Sequence, residues 1–174
     1  IKLEYLGPYG FALMSSDTPR EMMAKSTRYS ILAIDAGFNE FVEIGDECIR
    51  YWRHTFSESV PGSHFLDELV TASWLVMARA IGGEQDFTPN WVSLRSTKPA
   101  DTTPYGNLFG CPVTFGAAEY AVAFDKAVLD VPIRHGHPEL RNQLDALCEQ
   151  LLTQLLNDRD PQWLQDCRRM IIES

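Results

Sequence analysis

The stretch FGCPVTFGAAEYAVAFD, Phe109 to Asp125, decides how this chain is read. Two short apolar alternations, CPVTF and EYAVAF, flank Gly116-Ala117-Ala118, and this pattern predicts two strands joined by a turn. Cys111, between Gly110 and Pro112, poses a chemical question: reactive thiol or backbone corner. A nucleophilic cysteine needs a positioned base and a lowered pKa. None of His54, His64, His135 and His137 stands in a recognisable cysteine-protease context. Pro112 also has no amide hydrogen to lend to an oxyanion hole. Gly110 and Pro112 suit a sharp turn into an edge strand with a small buried thiol in the corner, and that reading is favoured.

Upstream of this stretch, KPADTTPYGNLFG is rich in breakers and has room for one helical turn from Thr103. TPNWVSLRST before it, bounded by Pro89 and Pro99, predicts a third strand. Ser63 opens a helix in which Leu66, Leu69, Val70, Ser73, Val76, Met77 and Ala80 follow helical spacing, with Gly82 as a stop. From Phe38 to Phe56, FVEI, Gly45-Asp46-Glu47 and CIRYWRHTF read as a β-hairpin with apolar groups on both faces. Thr18-Pro19-Arg20-Glu21 is a capping box for a helix to about Ile34, with Met22, Ser26, Tyr29 and Ala33 on one face.

Downstream, His137-Pro138-Glu139 starts a long helix whose apolar face is Leu140, Leu144, Leu147, Leu151 and Leu155. Asp160-Pro161 begins a last helix toward Ile172. Helix, hairpin, helix, strand, hairpin and two helices make an α+β fold: an antiparallel sheet built from hairpins, packed helices and a C-terminal helical pair.

Composition narrows the function. The 174 residues suit a single domain spanning 1–174. A net charge of −9, from 15 basic and 24 acidic residues, opposes DNA binding by this segment itself. No apolar run reaches the ~18–20 residues of a membrane span. Cys48, Cys111, Cys148 and Cys167 lie far apart without a C-x-x-C pair, which favours a reducing, cytoplasmic home over a zinc or redox motif. His135 and His137 offer two imidazoles without the further ligands a metal site needs. No G-x-G-x-x-G, P-loop, G-x-S-x-G or H-E-x-x-H occurs, so an enzyme is the less favoured class and no cofactor is expected.

RYWRHTF is more suggestive. Arg50, Trp52 and His54 alternate onto one strand face, and Trp91 and Arg95 repeat the pattern on another strand. If these side chains converge they form a pocket for a small anion or zwitterion, with arginine clamping a carboxylate and tryptophan giving apolar or cation–π contact. The alternative is a solvent-facing sheet surface with ordinary cross-strand pairs.

Three segments, GPYGFALMSSDTPREMMAKSTRYSIL, FGCPVTFGAAEYAVAFDKAVLDVPI and HPELRNQLDALCEQLLTQL, resemble in this order the amino-terminal effector domain of AraC-type transcriptional regulators. The likeness is strongest to the subgroup typified by the ornithine-utilisation regulator. The family phrase G-[YF]-A-L-x-S-S-x-T matches Gly10 to Thr18, F-G-C-P-V-x-F-G-A matches Phe109 to Ala117, and [LV]-x-F-D-x-x-[LV]-L-D-x-P matches Val122 to Pro132. His137 departs from the acidic helix cap common in the family.

The resemblance implies a non-enzymatic, cytoplasmic regulatory domain that binds a small-molecule effector such as an amino acid, amine or organic acid. It further implies a C-terminal helix-turn-helix domain after Ser174 and therefore DNA contact only through that domain. The start at Ile1 fits an isolated sensor half. A homodimer is implied as well, with Leu151, Leu155 and Trp163 on the helices nearest the expected DNA-binding domain. The competing readings are a small cysteine-dependent enzyme and a ligand-free dimerisation module.

Overall fold

The computed structural model describes residues 3–55, 62–82, 87–133 and 138–159. Five strands, β1 (Gly37–Ile44), β2 (Glu47–His54), β3 (Trp91–Leu94), β4 (Val113–Phe115) and β5 (Tyr120–Asp125), form one sheet in the order β1-β2-β5-β3-β4. The helices among the described residues are α1 (Pro8–Met14), α2 (Pro19–Tyr29), α3 (Ser63–Gly82), α4 (Thr103–Phe109) and α5 (Pro138–Arg159). The fold is α+β, as the element order predicts.

The first hairpin forms as read: β1 and β2 pair antiparallel from Gly37↔His54 to Ile44↔Glu47. The second does not. β4 and β5 are separated by β3, to which β4 runs parallel and β5 antiparallel. Tyr120 to Phe124 are all buried, so β5 belongs at the sheet centre with a ladder on each edge, against β2 and β3. The three-residue β4 instead extends the outer edge of β3, continued by Ala117 N–H donating to Leu94 O at 3.0 Å.

The corner at Cys111 is a helix ending. Gly110 closes α4 in the left-handed region at φ 69°, a conformation glycine adopts without a Cβ penalty. Arg79 of α3 donates to the carbonyls of Leu108 (2.6 Å) and Phe109 (3.1 Å), satisfying the last turn of α4. Pro112 then leads into β4.

Thr18 caps α2 by accepting from Glu21 N–H at 3.2 Å, and the Glu21 carboxylate reaches back to Asp17 N–H at 2.9 Å. The helix ends at Tyr29 and tightens into a 3₁₀ turn, Ser30–Leu32. Before Thr18 the sequence pattern assigns no element, yet Leu3–Leu6 forms a 3₁₀ turn and α1 follows. Packing, not propensity, makes this piece: a Cβ on Gly10 would sit 1.9 Å from the Leu3 carbonyl oxygen. Gly10→Ala is therefore expected to cost about 1–3 kcal/mol or more, read as a fall in the denaturation midpoint, because backbone must move.

The helix α5 lies along α2 in the same direction, held by a row of polar contacts one turn apart. Arg141 meets Asp17 and Glu21, Asp145 Oδ1 lies 2.9 Å from Lys25 Nζ, and Glu149 pairs with Arg28 and accepts from Tyr29 Oη at 2.6 Å. Arg28 first, then Tyr29, holds the Glu149 carboxyl down at about 2. Because this pKa is depressed, the contribution is present above the ordinary glutamate range near pH ~4.3 and is lost as pH falls toward 2.

This row turns Leu144, Cys148 and Leu152 toward the body of the domain. Of the anticipated leucine stripe Leu144 shares this face, while the positions on either side of it are rotated away, since each residue advances the helix by about 100°. Leu140 and Leu147 consequently stay 50% and 39% exposed, a correction to their reading as core. The last helix predicted from Asp160, and Trp163 with it, lies outside the described residues.

One face of the sheet carries the main core. Trp52, Val92, Leu94, Tyr120, Val122 and Phe124 pack against Trp74 and Leu75 of α3. Trp74 stacks on Phe124 with centroids 6.0 Å apart, and Phe87 meets Phe124 edge-on at 5.3 Å.

Candidate functional site

A cavity of about 220 Å³ lies on this core-bearing face of the sheet. Asn39 of β1 with Arg50 and Trp52 of β2 line one side, and Leu66, Val70, Trp74 and Met77 of α3 line another. Tyr9 of α1 and Ser30, Ala33 and Ile34, just after α2, line the remainder. Alternation on β2 explains the first set, because Cys48, Arg50 and Trp52 share a face. On α3 the apolar stripe read from the sequence lines the cavity, while Asp67 and Thr71 beside it are fully buried.

Arg50 is the unusual residue. Its side chain is 0% exposed. Nε donates to Asn39 Oδ1 at 2.9 Å, and Nη1 reaches Thr71 Oγ1 only at 3.5 Å. Nη2 has no hydrogen-bond partner among the described residues. The guanidinium carbon lies 5.2 Å from the Trp74 ring centroid and 5.9 Å from that of Trp52. Burial pushes the group down to about 9.

Around it runs a chain of buried polar groups. Asn39 Nδ2 donates to Ser26 Oγ at 3.0 Å, and Ser26 Oγ lies 3.3 Å from Tyr9 Oη. Burial raises the Tyr9 phenol above its ordinary value, so it stays protonated and neutral. Next to Arg50 on the same face, Trp52 Nε1 donates to Asp67 Oδ1 at 2.6 Å, and His54 Nδ1 lies 3.0 Å from Asp67 Oδ2. This second group anchors α3 to β2 and orients the Trp52 ring.

Of the five residues read as an effector site, Arg50 and Trp52 come together on the cavity wall, and His54 stands beside Trp52 through Asp67. Trp91 and Arg95 do not join them, which corrects the expected convergence. In β3 the core-facing positions are Val92 and Leu94, so Trp91 falls on the opposite face. There it packs with Tyr51 over Ile49, Ala121 and Ala123. Arg95 follows the last residue of β3. Asn39, Thr71, Trp74 and Tyr9 were missed. The available signal was Asp67 and Thr71, two polar residues four apart in a helix otherwise rich in apolar side chains.

Cys111 is half-buried against the core, and burial raises its thiol pKa although Arg79 pulls the other way. That is the reverse of an activated nucleophile. His54 and His64 are occupied elsewhere, His64 Nδ1 lying 3.0 Å from Tyr120 Oη; His135 and His137 lie outside the described residues. Among the described residues, no group of three His, Cys, Asp or Glu side chains could hold a metal, and no helix is long and apolar enough to cross a membrane.

The domain thus joins helices and a sheet around a small cavity that carries an arginine and two tryptophans. Residues 1–133 match the model of the arabinose-binding domain found at the N-terminus of AraC transcription regulators, and the chain belongs to that family. The fold is similar to that of the transcriptional regulator CdpR from Pseudomonas aeruginosa, with a TM-score of 0.70 at 18% sequence identity. The similarity covers 94% of this chain and 59% of CdpR, so the chain spans well under two thirds of that protein's length. No curated protein matches. The family points to a regulatory ligand-binding domain, a class that is typically not enzymatic.

Proposed function

We propose that this chain is the cytoplasmic sensor of an AraC-type regulator. It binds a small metabolite in the cavity at Arg50 and controls a C-terminal helix-turn-helix domain. The observation that carries the reading is the cavity with a buried cation on its wall. A second recess of about 190 Å³ is lined chiefly by Met22, Met23, Ile81, Phe87 and Phe124, with Thr88 and the exposed Asp125 at its edge but no buried cation. Analogy with the family leaves amino acids, amines and organic acids as effector classes.

The cavity is joined to α5 by the same residues. Tyr9 lines the cavity and also packs in the apolar cluster that contains Cys148 and Leu152. An effector that shifts Tyr9 or its Ser26 and Asn39 partners therefore presses on the elements against which α5 is docked.

Dimerisation through α5 is part of the proposal. Leu151 and Leu155 are half-buried, flanked by the exposed Leu147 (39%) and Leu156 (49%). Light scattering over a dilution series is expected to show a dimer that Leu147→Glu and Leu156→Glu together convert to monomer at unchanged Tm. A monomer at every concentration, with and without effector, moves the interface elsewhere.

The ligand reading is tested by mass spectrometry of gently purified protein, followed by thermal unfolding with each compound recovered. A specific ligand at about 100 times its Kd stabilises the fold by about 2.7 kcal/mol. If no metabolite is retained and none added raises Tm, a ligand-free dimerisation module is the better description.

A further inference from the structure

We propose that the cavity takes a small monocarboxylate, its carboxylate held by Arg50 and its apolar body placed against Trp52 and Trp74. This rests on the effector-site reading above and selects one of its three ligand classes.

The first argument is the state of Arg50. A fully buried guanidinium is costly unless it is paired and its N–H groups are bonded. Here the described partners are two neutral oxygens, one of them at 3.5 Å, and Nη2 has none. Asp67, the buried carboxylate on the same helix as Thr71, has its oxygens engaged by the Trp52 indole and His54. The cavity wall therefore carries a cation without an anion. A carboxylate presents two acceptor oxygens in the fork geometry that suits a guanidinium.

The second argument is the rest of the lining. Leu66, Val70, Trp74 and Met77 require an apolar body, and the volume of about 220 Å³ falls below the ~300–1,000 Å³ of pockets for drug-sized ligands. Among the described residues, no aspartate or glutamate lines the cavity. An amine, or the ammonium of an amino acid, would enter beside an unpaired arginine without a carboxylate to meet it. Amines and zwitterions are disfavoured and simple acids remain. The lowered pKa of Arg50 agrees, since a bound anion would relieve the same desolvation.

The test compares charge at constant shape on the unaltered protein. Isovalerate, hexanoate, benzoate and phenylacetate are titrated against their primary amides, phenethylamine and phenylalanine, by calorimetry and by tryptophan fluorescence. At least one acid is expected to bind about 10- to 100-fold more tightly than its amide, the size of one charge-assisted pair. Arg50→Met is expected to abolish that preference, with Arg50→Lys keeping part of it. An amide equal to its acid, an amine or amino acid binding best, or no acid binding at all overturns the inference. The effector-site reading is judged separately: a neutral or cationic metabolite recovered with the purified protein would sustain it while sinking the carboxylate.

Discussion

Asp67→Ala is expected to destabilise the domain by about 2–4 kcal/mol, because two donors lose their acceptor at once. The Trp52 indole N–H, on a residue only 2% exposed, would be left buried without a partner, and His54 would lose the carboxylate 3.0 Å away. Denaturant unfolding gives the value directly. Asp67→Asn keeps an oxygen for the indole and should lose less. If Asp67→Ala unfolds at the parent midpoint, the desolvation of this carboxylate cancels its hydrogen bonds, and the group does not anchor α3 to β2.

Trp74→Ala is expected to have the larger effect, about 3–5 kcal/mol, the range for deleting a buried tryptophan. Trp74 is in contact with Phe41, Phe87 and Phe124 and also faces the Arg50 guanidinium. Its loss opens the core into the neighbouring cavity and removes one aromatic wall of the proposed ligand site. A more conservative pair separates the two roles. Trp74→Phe should retain most of the stability, while ligand affinity falls by several-fold with the weaker cation–π face and altered wall. If Trp74→Phe binds effector like the parent while Trp74→Ala merely unfolds, the residue serves the core alone.

The two variants show why the site could be read only in part. Arg50 and Trp52 were legible because a strand repeats every two residues, so their shared face follows from spacing alone. Trp91 was misplaced because that same rule says nothing about which parity of a second strand faces the first. That depends on register and on β5 lying between β2 and β3. Asn39 and Thr71 were missed because a single polar residue in a strand or helix carries no periodic signal. Their importance comes from Arg50 reaching both across the domain interior.

Local chemistry determined the α2 cap and the Gly45-Asp46 hairpin, since each closes its hydrogen bonds among neighbours in sequence, whereas the α4–Gly110 ending also draws on Arg79 of α3. Family membership, too, was already legible in ordered phrases of residues. Tertiary structure alone decided the rest. It set β3 between β4 and β5, formed α1 around the space at Gly10, and turned α5 so that Arg141, Asp145 and Glu149 meet α2 while Leu144 and Leu152 pack inward and Leu140 and Leu147 stay exposed. The separations involved run from seven residues for Gly10 and Leu3, through twenty-one for Val92 and Val113, to 121 for Arg28 and Glu149. Which of several apolar or polar faces is buried is settled only when all the competing surfaces are present at once.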